Sequence, residues 1–230
     1  MRRVVKSSSL SLFFLAILLL SVVFLAITGH DLYNDEEAAH AALNHEQPQL
    51  ISFGRYLFTS HFGQALMENW QSEYLQFSLM ILATVWFIQR GSPESKEPGK
   101  AGTESDQQQR VGGYAQQNSP RWAKARGFRL WVYSNSLLLV MGLIFFLSWF
   151  AQSVTGWTEF NAEAADHGEA AVSWLGYVGS SSFWFDTLQN WQSEFLAVGS
   201  MAVLSIYLRQ RGSPESKPVG APHTATGAEG

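Results

Sequence analysis

The sequence Asn69-Trp70-Gln71-Ser72-Glu73 recurs as Asn190-Trp191-Gln192-Ser193-Glu194. Gln89-Arg90-Gly91-Ser92-Pro93-Glu94-Ser95-Lys96 recurs as residues 210–217, at the same offset of 121. Two identical blocks joined by apolar runs of equal length read as a tandem duplication, so the fold has to be one that a chain can build twice. The outer stretches align at a different offset, 127: Thr28-Gly29 with Thr155-Gly156, Asn34 with Asn161, Glu36 with Glu163 and His40 with His167. The first copy therefore carries about six extra residues between the two registers.

Hydropathy then decides the class. Leu10–Thr28 and Ser136–Val154 contain no charged residue, and about 20 apolar residues cross a bilayer core of roughly 30 Å. The opening Met1-Arg2-Arg3-Val4-Val5-Lys6 followed by an apolar run has the layout of a secretory signal. The run is longer than a signal core, though, and Ser7-Ser8-Ser9-Leu10 is matched inside the chain by Ser134-Asn135-Ser136-Leu137. It reads as a retained membrane helix.

The expected fold is all-α and integral to a membrane, with four transmembrane helices from a two-helix repeat and a parallel pseudo-two-fold axis. Residues 1–96 form the first repeat, with spans near 9–28 and 66–89. Residues 97–127, rich in Gly, Ser, Gln and Pro, form a flexible linker. Residues 128–217 form the second repeat, with spans near 132–154 and 187–208, and 218–230 a disordered tail. Gly29-His30-Asp31 reads as a break, with Asp35–Ala42 a short exposed helix beyond it. Residues 50–62 suit an interfacial segment packed over the spans. Gly91 followed by Pro93 reads as the stop of a helix running to Arg90. Such a helix from Phe62 would be about 43 Å long, with Glu73 about 25 Å above Arg90 at the far membrane edge.

Charge orients the chain. Of the 15 Lys and Arg residues, only Arg55 falls in the stretches between the paired spans, and residues 156–193 have none. By the positive-inside bias both termini and the linker are cytoplasmic. The linker bases Arg121, Lys124, Arg126 and Arg129, beside Trp122 and Phe128, suit anchoring to anionic lipid.

Candidate chemistry is sparse. Glu73 and Glu194 are carboxylates at a membrane edge, where charge is costly unless paired or hydrated. Two facing carboxylates could share a proton or hold a cation; the plainer reading places both among headgroups, bonded to Gln71 and Gln192. Below them only Gln76, Ser78 and Thr84, or Ser200 and Ser205, offer polar stepping stones for an ion. Trp70 and Trp191, three residues earlier on the same helix face, fit an interfacial belt. Glu36/His40 and Glu163/His167 have i,i+4 spacing, a weak signal for a metal or a pH sensor, against the default of a solvated acidic face. The recurring Arg90, Ser92 and Ser95, with Arg211, Ser213 and Ser216, are candidates for docking a partner or a lipid headgroup. No catalytic constellation, phosphate loop or nucleic-acid surface is present in the sequence, no cofactor is expected, and without Cys there is neither a disulfide nor a thiolate site.

The paired Asn-Trp-Gln-Ser-Glu and Gln-Arg-Gly-Ser-Pro-Glu-Ser-Lys blocks in a two-span frame resemble a family of bacterial four-span membrane proteins catalogued as a domain of unknown function, over roughly residues 5–217. The resemblance implies a bacterial inner-membrane location and brings no activity, cofactor or catalytic residue with it. The reading that follows is a non-enzymatic accessory, scaffold or envelope protein whose partners are the lipid bilayer and either another membrane protein or a second copy. The alternative is a small transporter or cation-coupled channel using Glu73 and Glu194.

Overall fold

The computed structural model describes residues 7–227, so the basic tail Arg2, Arg3 and Lys6 lies outside the described residues. The described residues are all-helical, with no strand. Helix α1 spans Ser9–Asn44, α2 Phe53–Tyr56, α3 Ser60–Trp86, α4 Phe128–Ser134, α5 Ser136–Asp166, α6 Trp174–Val178 and α7 Ser181–Tyr207. α1 and α5 are long and apolar enough to cross a membrane. α3 and α7 are 27 residues each, but their first halves carry Glu68, Asn69, Gln71 and Glu73, and Asp186, Gln189, Asn190, Gln192 and Glu194. That polarity keeps them from reading as spans on composition alone.

The expected break at Gly29 does not occur. α1 runs through it for 36 residues, about 54 Å, and α5 runs through the matching Gly156. A glycine inside a helix costs only about 1 kcal/mol relative to alanine, and here both glycines serve a close approach. A Cβ on Gly29 would collide with the Tyr56 hydroxyl, and one on Gly156 with the Tyr177 hydroxyl. Tyr56 and Tyr177 are 1% and 2% exposed. Each therefore plugs a notch that only glycine leaves open.

Above each notch sits an identical clamp. The Asn34 amide donates to Ile51 O (3.1 Å) and its carbonyl accepts from Ile51 N (2.9 Å). Asn161 does the same with Val172, at 3.1 and 2.8 Å. His30 Nε2 lies 2.9 Å from Ile51 O, and Trp157 Nε1 donates to Val172 O at 2.8 Å. These bonds satisfy backbone groups of the returning chain and fix where it re-enters.

Both long helices end in the same left-handed cap, at His45 (φ 58°) and Gly168 (φ 71°), with Glu46 N bonded to Ala41 O and Glu169 N to Ala164 O. Asn34 precedes Ala41 by seven positions, whereas Asn161 precedes Ala164 by three. The extra residues of the first half are thus one additional helical turn plus two residues in the following loop. α3 and α7 then start on matching caps, Thr59 Oγ1 accepting from Phe62 N and Ser180 Oγ from Phe183 N.

At their other ends α3 and α7 stop at Trp86 and Tyr207, before the expected Gly-Pro stop, with Phe87 and Leu208 extended. The N–H of Gln89, which a continuing helix would aim at Val85 O, is taken by Ser95 Oγ at 2.8 Å, and Val85 O accepts from Gly102 N instead. In the second copy Ser216 Oγ takes Gln210 N at 2.9 Å, and Ile206 O faces His223 Nδ1 at 3.0 Å. Gly91 (φ 92°) and Gly212 (φ 80°) make the left-handed turn inside these serine knots rather than capping a helix.

α3 is the centre of the bundle. It packs along α5 and, less extensively, along α7. Gly63 permits the close α3–α5 approach, since a Cβ there would lie 2.9 Å from Thr155 Cγ2. A cluster of Phe145, Trp149, Phe183, Trp184 and Trp191 fills the space between α5 and α7. α1 meets the rest of the chain mainly around α2 and leaves most of its apolar surface exposed. The 97–127 stretch contains short 3₁₀ turns at Gly112–Tyr114 and Arg121–Lys124.

Candidate functional site

The repeated blocks face each other across α3 and α7. Gln71, fully buried, accepts a 2.7 Å hydrogen bond from Trp191 Nε1, and Gln76 Nε2 reaches Glu194 O at 3.4 Å. Glu73 and Glu194 sit on the packed helices α3 and α7. They are not sealed in, because Glu73 is exposed and Glu194 half-buried. Trp70 and Gln192, the counterparts of Trp191 and Gln71, are exposed. One copy of the block has its Gln inside the bundle, and the other has it outside.

Two of the stepping stones beneath the pair, Ser78 and Thr84, are occupied by their own helix. Ser78 bonds to Tyr74 O at 2.7 Å and Thr84 to Met80 O at 2.8 Å. Such back-bonding satisfies a buried hydroxyl without offering it to an ion.

At the other end the serines of the second block also act locally. Glu94 N bonds Ser92 Oγ, and Glu215 N bonds Ser213 Oγ. Together with the Ser95 and Ser216 bonds, this gives each recurring serine a role in its own turn. Arg90 and Arg211 are exposed. The first block is buried by the C-terminal segment: Gly91 N donates to Thr226 Oγ1 (2.9 Å), and Gly227 N to Ser92 O (3.1 Å). Lys217, 1% exposed, donates to the carbonyls of Gly91 (2.5 Å), His223 (2.9 Å) and Ala225 (3.1 Å). A buried ammonium is costly unless surrounded by acceptors, and these carbonyls supply them. Burial, with Arg209 nearby, pushes its pKa down. Its counterpart Lys96 pairs with Glu104 near the surface. Glu94 is raised by burial, then by the neighbouring Glu215 carboxylate.

Of the i,i+4 candidates, His40 contacts Asn44 and His167 Nδ1 contacts the backbone oxygen of Glu163 at 2.8 Å. Glu36 and Glu163 sit on separate helices. Among the described residues, no group of three His, Asp or Glu side chains could hold a metal ion.

One site had no signal in the sequence beyond Glu163. A polar cavity of about 340 Å³ opens between the first turns of α3, the last turns of α5, α6 and the start of α7. It is lined by His61, Gln64, Glu68, Glu159, Glu163, Phe160, Tyr177, Ser182 and Asp186. Gln64 Nε2 donates to the Glu68 carboxylate at 2.9 Å. Burial, with Asp186 and Glu68 beside it, pushes the Tyr177 hydroxyl up to about 12, so it stays protonated. Arg209 was missed as well; its guanidinium caps the end of α7 on Ser205 O, Ile206 O and Leu208 O.

The chain belongs to the family described as "Domain of unknown function (DUF6766)", whose profile matches residues 1–228. No curated protein and no solved structure matches it.

Proposed function

We propose that this member of the DUF6766 family is a four-span membrane protein of non-enzymatic type, a scaffold or accessory subunit whose two repeats form one unit. The observation that carries this reading is where the recurring residues spend their bonding capacity. Gln71–Trp191 and Gln76–Glu194 tie α3 to α7, and Lys217 ties the second block to the first. In a bilayer, interhelical hydrogen bonds and close backbone contacts hold helices together, because lipid competes for apolar surface. α3 and α7 serve as the second and fourth spans in this reading, with Gln71 and Ser72 of α3 buried against protein. The termini and the linker face the cytoplasm of a bacterial inner membrane, following the distribution of Lys and Arg.

Two measurements test it. The chain has no Cys, so single cysteines at Asn44, Ser105 and Glu169 report topology; an impermeant reagent on intact cells should label 44 and 169 only. Labelling at 105 would reverse the orientation. In liposomes, the purified protein should give proton and cation flux no higher than empty vesicles. A flux in the wild type that disappears in Glu73→Gln/Glu194→Gln would replace the scaffold with a transporter.

A further inference from the structure

An apolar cleft of about 560 Å³ separates α1 from α2 and the start of α3, a size within the roughly 300–1,000 Å³ of small-molecule sites. α1 lines it with Val22, Val23, Ala26 and Ile27, and Phe53, Leu57 and Phe62 close the other side. No lining residue is polar. Val23, Ile27, Phe53 and Leu57 are exposed, so the rest of the chain does not cover the cleft.

The second half of the chain fills the same place with its own rings. The two registers that align the asparagine clamps put Trp149, Phe150 and Ser153 at the positions of Val22, Val23 and Ala26, and Trp174 at that of Phe53. There Phe150 meets Trp174 edge-on with ring centroids 6.0 Å apart. Trp174 Nε1 donates to Ser153 Oγ at 3.1 Å, and Trp149 stacks on Phe183. An apolar space left without such neighbours forfeits their dispersion contacts, which an apolar occupant restores.

The halves also differ in charge at the same turn. Arg55 lies on α2 between the lining residues Phe53 and Leu57, and the matching residue of α6 is Gly176. Arg55 is exposed and takes part in no ion pair among the described residues. It is the one Lys or Arg in the stretches between the paired spans, where the positive-inside bias disfavours a cation. An arginine stem lies along apolar surface while its guanidinium stays at the polar boundary, and its fork of donors matches phosphate oxygens. Open cleft and cation thus occur together in one half and are both missing from the other.

The position along α1 selects the occupant. Residues 22–27 are the end of an uncharged run that closes at Thr28. In the four-span reading, on which this inference rests, the cleft therefore lies just inside the outer edge of the bilayer core, with Arg55 at headgroup level. A phospholipid already stands there, bringing a tail for the cleft and a phosphate for the guanidinium. We propose that the first repeat holds one anionic phospholipid of the outer leaflet, with an acyl chain in the cleft between α1 and α2 and its headgroup on Arg55.

The test is native mass spectrometry of the purified full-length protein in mild detergent, titrated with phosphatidylglycerol or with phosphatidylcholine of the same chains. One phosphatidylglycerol per chain should be retained, and phosphatidylcholine should bind about tenfold more weakly. Arg55→Gln should weaken phosphatidylglycerol about tenfold and leave phosphatidylcholine unchanged. Val23→Phe/Ala26→Ser/Phe53→Trp, which installs the residues of the second half, should lose both lipids. If that triple variant does not fold, Arg55→Gln and Val23→Phe alone decide. Absence of retained lipid, equal retention of the two lipids, or undiminished phosphatidylglycerol binding in Arg55→Gln overturns the proposal. So does a lipid-free dimer that dissociates when the cleft is filled, which would assign the cleft to a second copy of the chain. Cysteine labelling reads the topology separately, so loss of lipid binding with positions 44 and 169 still labelled overturns this site and leaves the four spans standing.

Discussion

The two halves of the chain share their joints and differ in their faces. Both have the asparagine clamp on the returning backbone, the tyrosine plug in a glycine notch, and the serine knot after the second long helix. What differs is the surface that α3 and α7 show to a neighbour. At the position where α3 has Gly63 against Thr155, α7 has Trp184, whose ring stacks edge-on against Trp149. α5 can therefore lie close along α3, burying Gln71 and Ser72. No equivalent approach is open to α1 along α7, and Gln192 and Ser193 stay exposed. The repeats keep what makes each unit fold and differ in side-chain volume at Gly63 and Trp184.

Exchanging that residue should break the comparison most severely. In Gly63→Trp the indole has nowhere to go between α3 and α5, and a loss of about 3 kcal/mol or more is expected, read as a lowered thermal midpoint in detergent. Trp184→Gly removes a ring that is already 38% exposed and should cost less. Equal losses would show that Gly63 does not set the asymmetry.

The notches should respond next. Gly156→Ala and Gly29→Ala each force a buried tyrosine aside, at about 1–3 kcal/mol. After loss of the hydroxyl the nearest ring carbon stands 3.1 Å from the new Cβ in both halves. Tyr177→Phe should therefore restore most of the stability of Gly156→Ala. Tyr56→Phe should restore less in Gly29→Ala, because Tyr56 also loses its 2.9 Å bond to His61 Nδ1. Identical rescue in both halves would mean that this bond contributes nothing.

The smallest effect belongs to the junction of the two blocks. The folded pKa of Glu94 is raised, so the folded chain holds this proton more tightly than the unfolded chain does. Its stabilising contribution is complete below the unfolded carboxyl value and is lost as pH rises through the raised one. Midpoints measured from pH 4 to 7 should fall slightly in the wild type, and Glu94→Gln should reduce that slope while raising stability at pH 7. A slope unchanged in Glu94→Gln would assign it to other carboxylates.

Several features were open to reading in the sequence because they are local or literal. The duplicated blocks, the two registers and the apolar runs of α1 and α5 can be counted without coordinates. Gly29 misled, since a glycine at a polar border looks the same whether it ends a helix or admits a tyrosine from 27 positions away. Ser95 and Ser216 looked like surface recognition residues because a hydroxyl taking a backbone N–H six positions earlier leaves no pattern.

By itself, then, the sequence determined that two like units would form, which helices are apolar, and where each unit repeats, because these follow from composition and spacing along the chain. Only the tertiary structure decided which helix lies at the centre, which copy of Gln and Lys is buried, and that His61, Glu68, Glu159 and Asp186 share a cavity. Those residues come from three helices and are as many as 125 positions apart. Periodicity marks the face a helix will bury, but the partner is chosen by volumes such as Gly63 and Trp184 that meet only after folding.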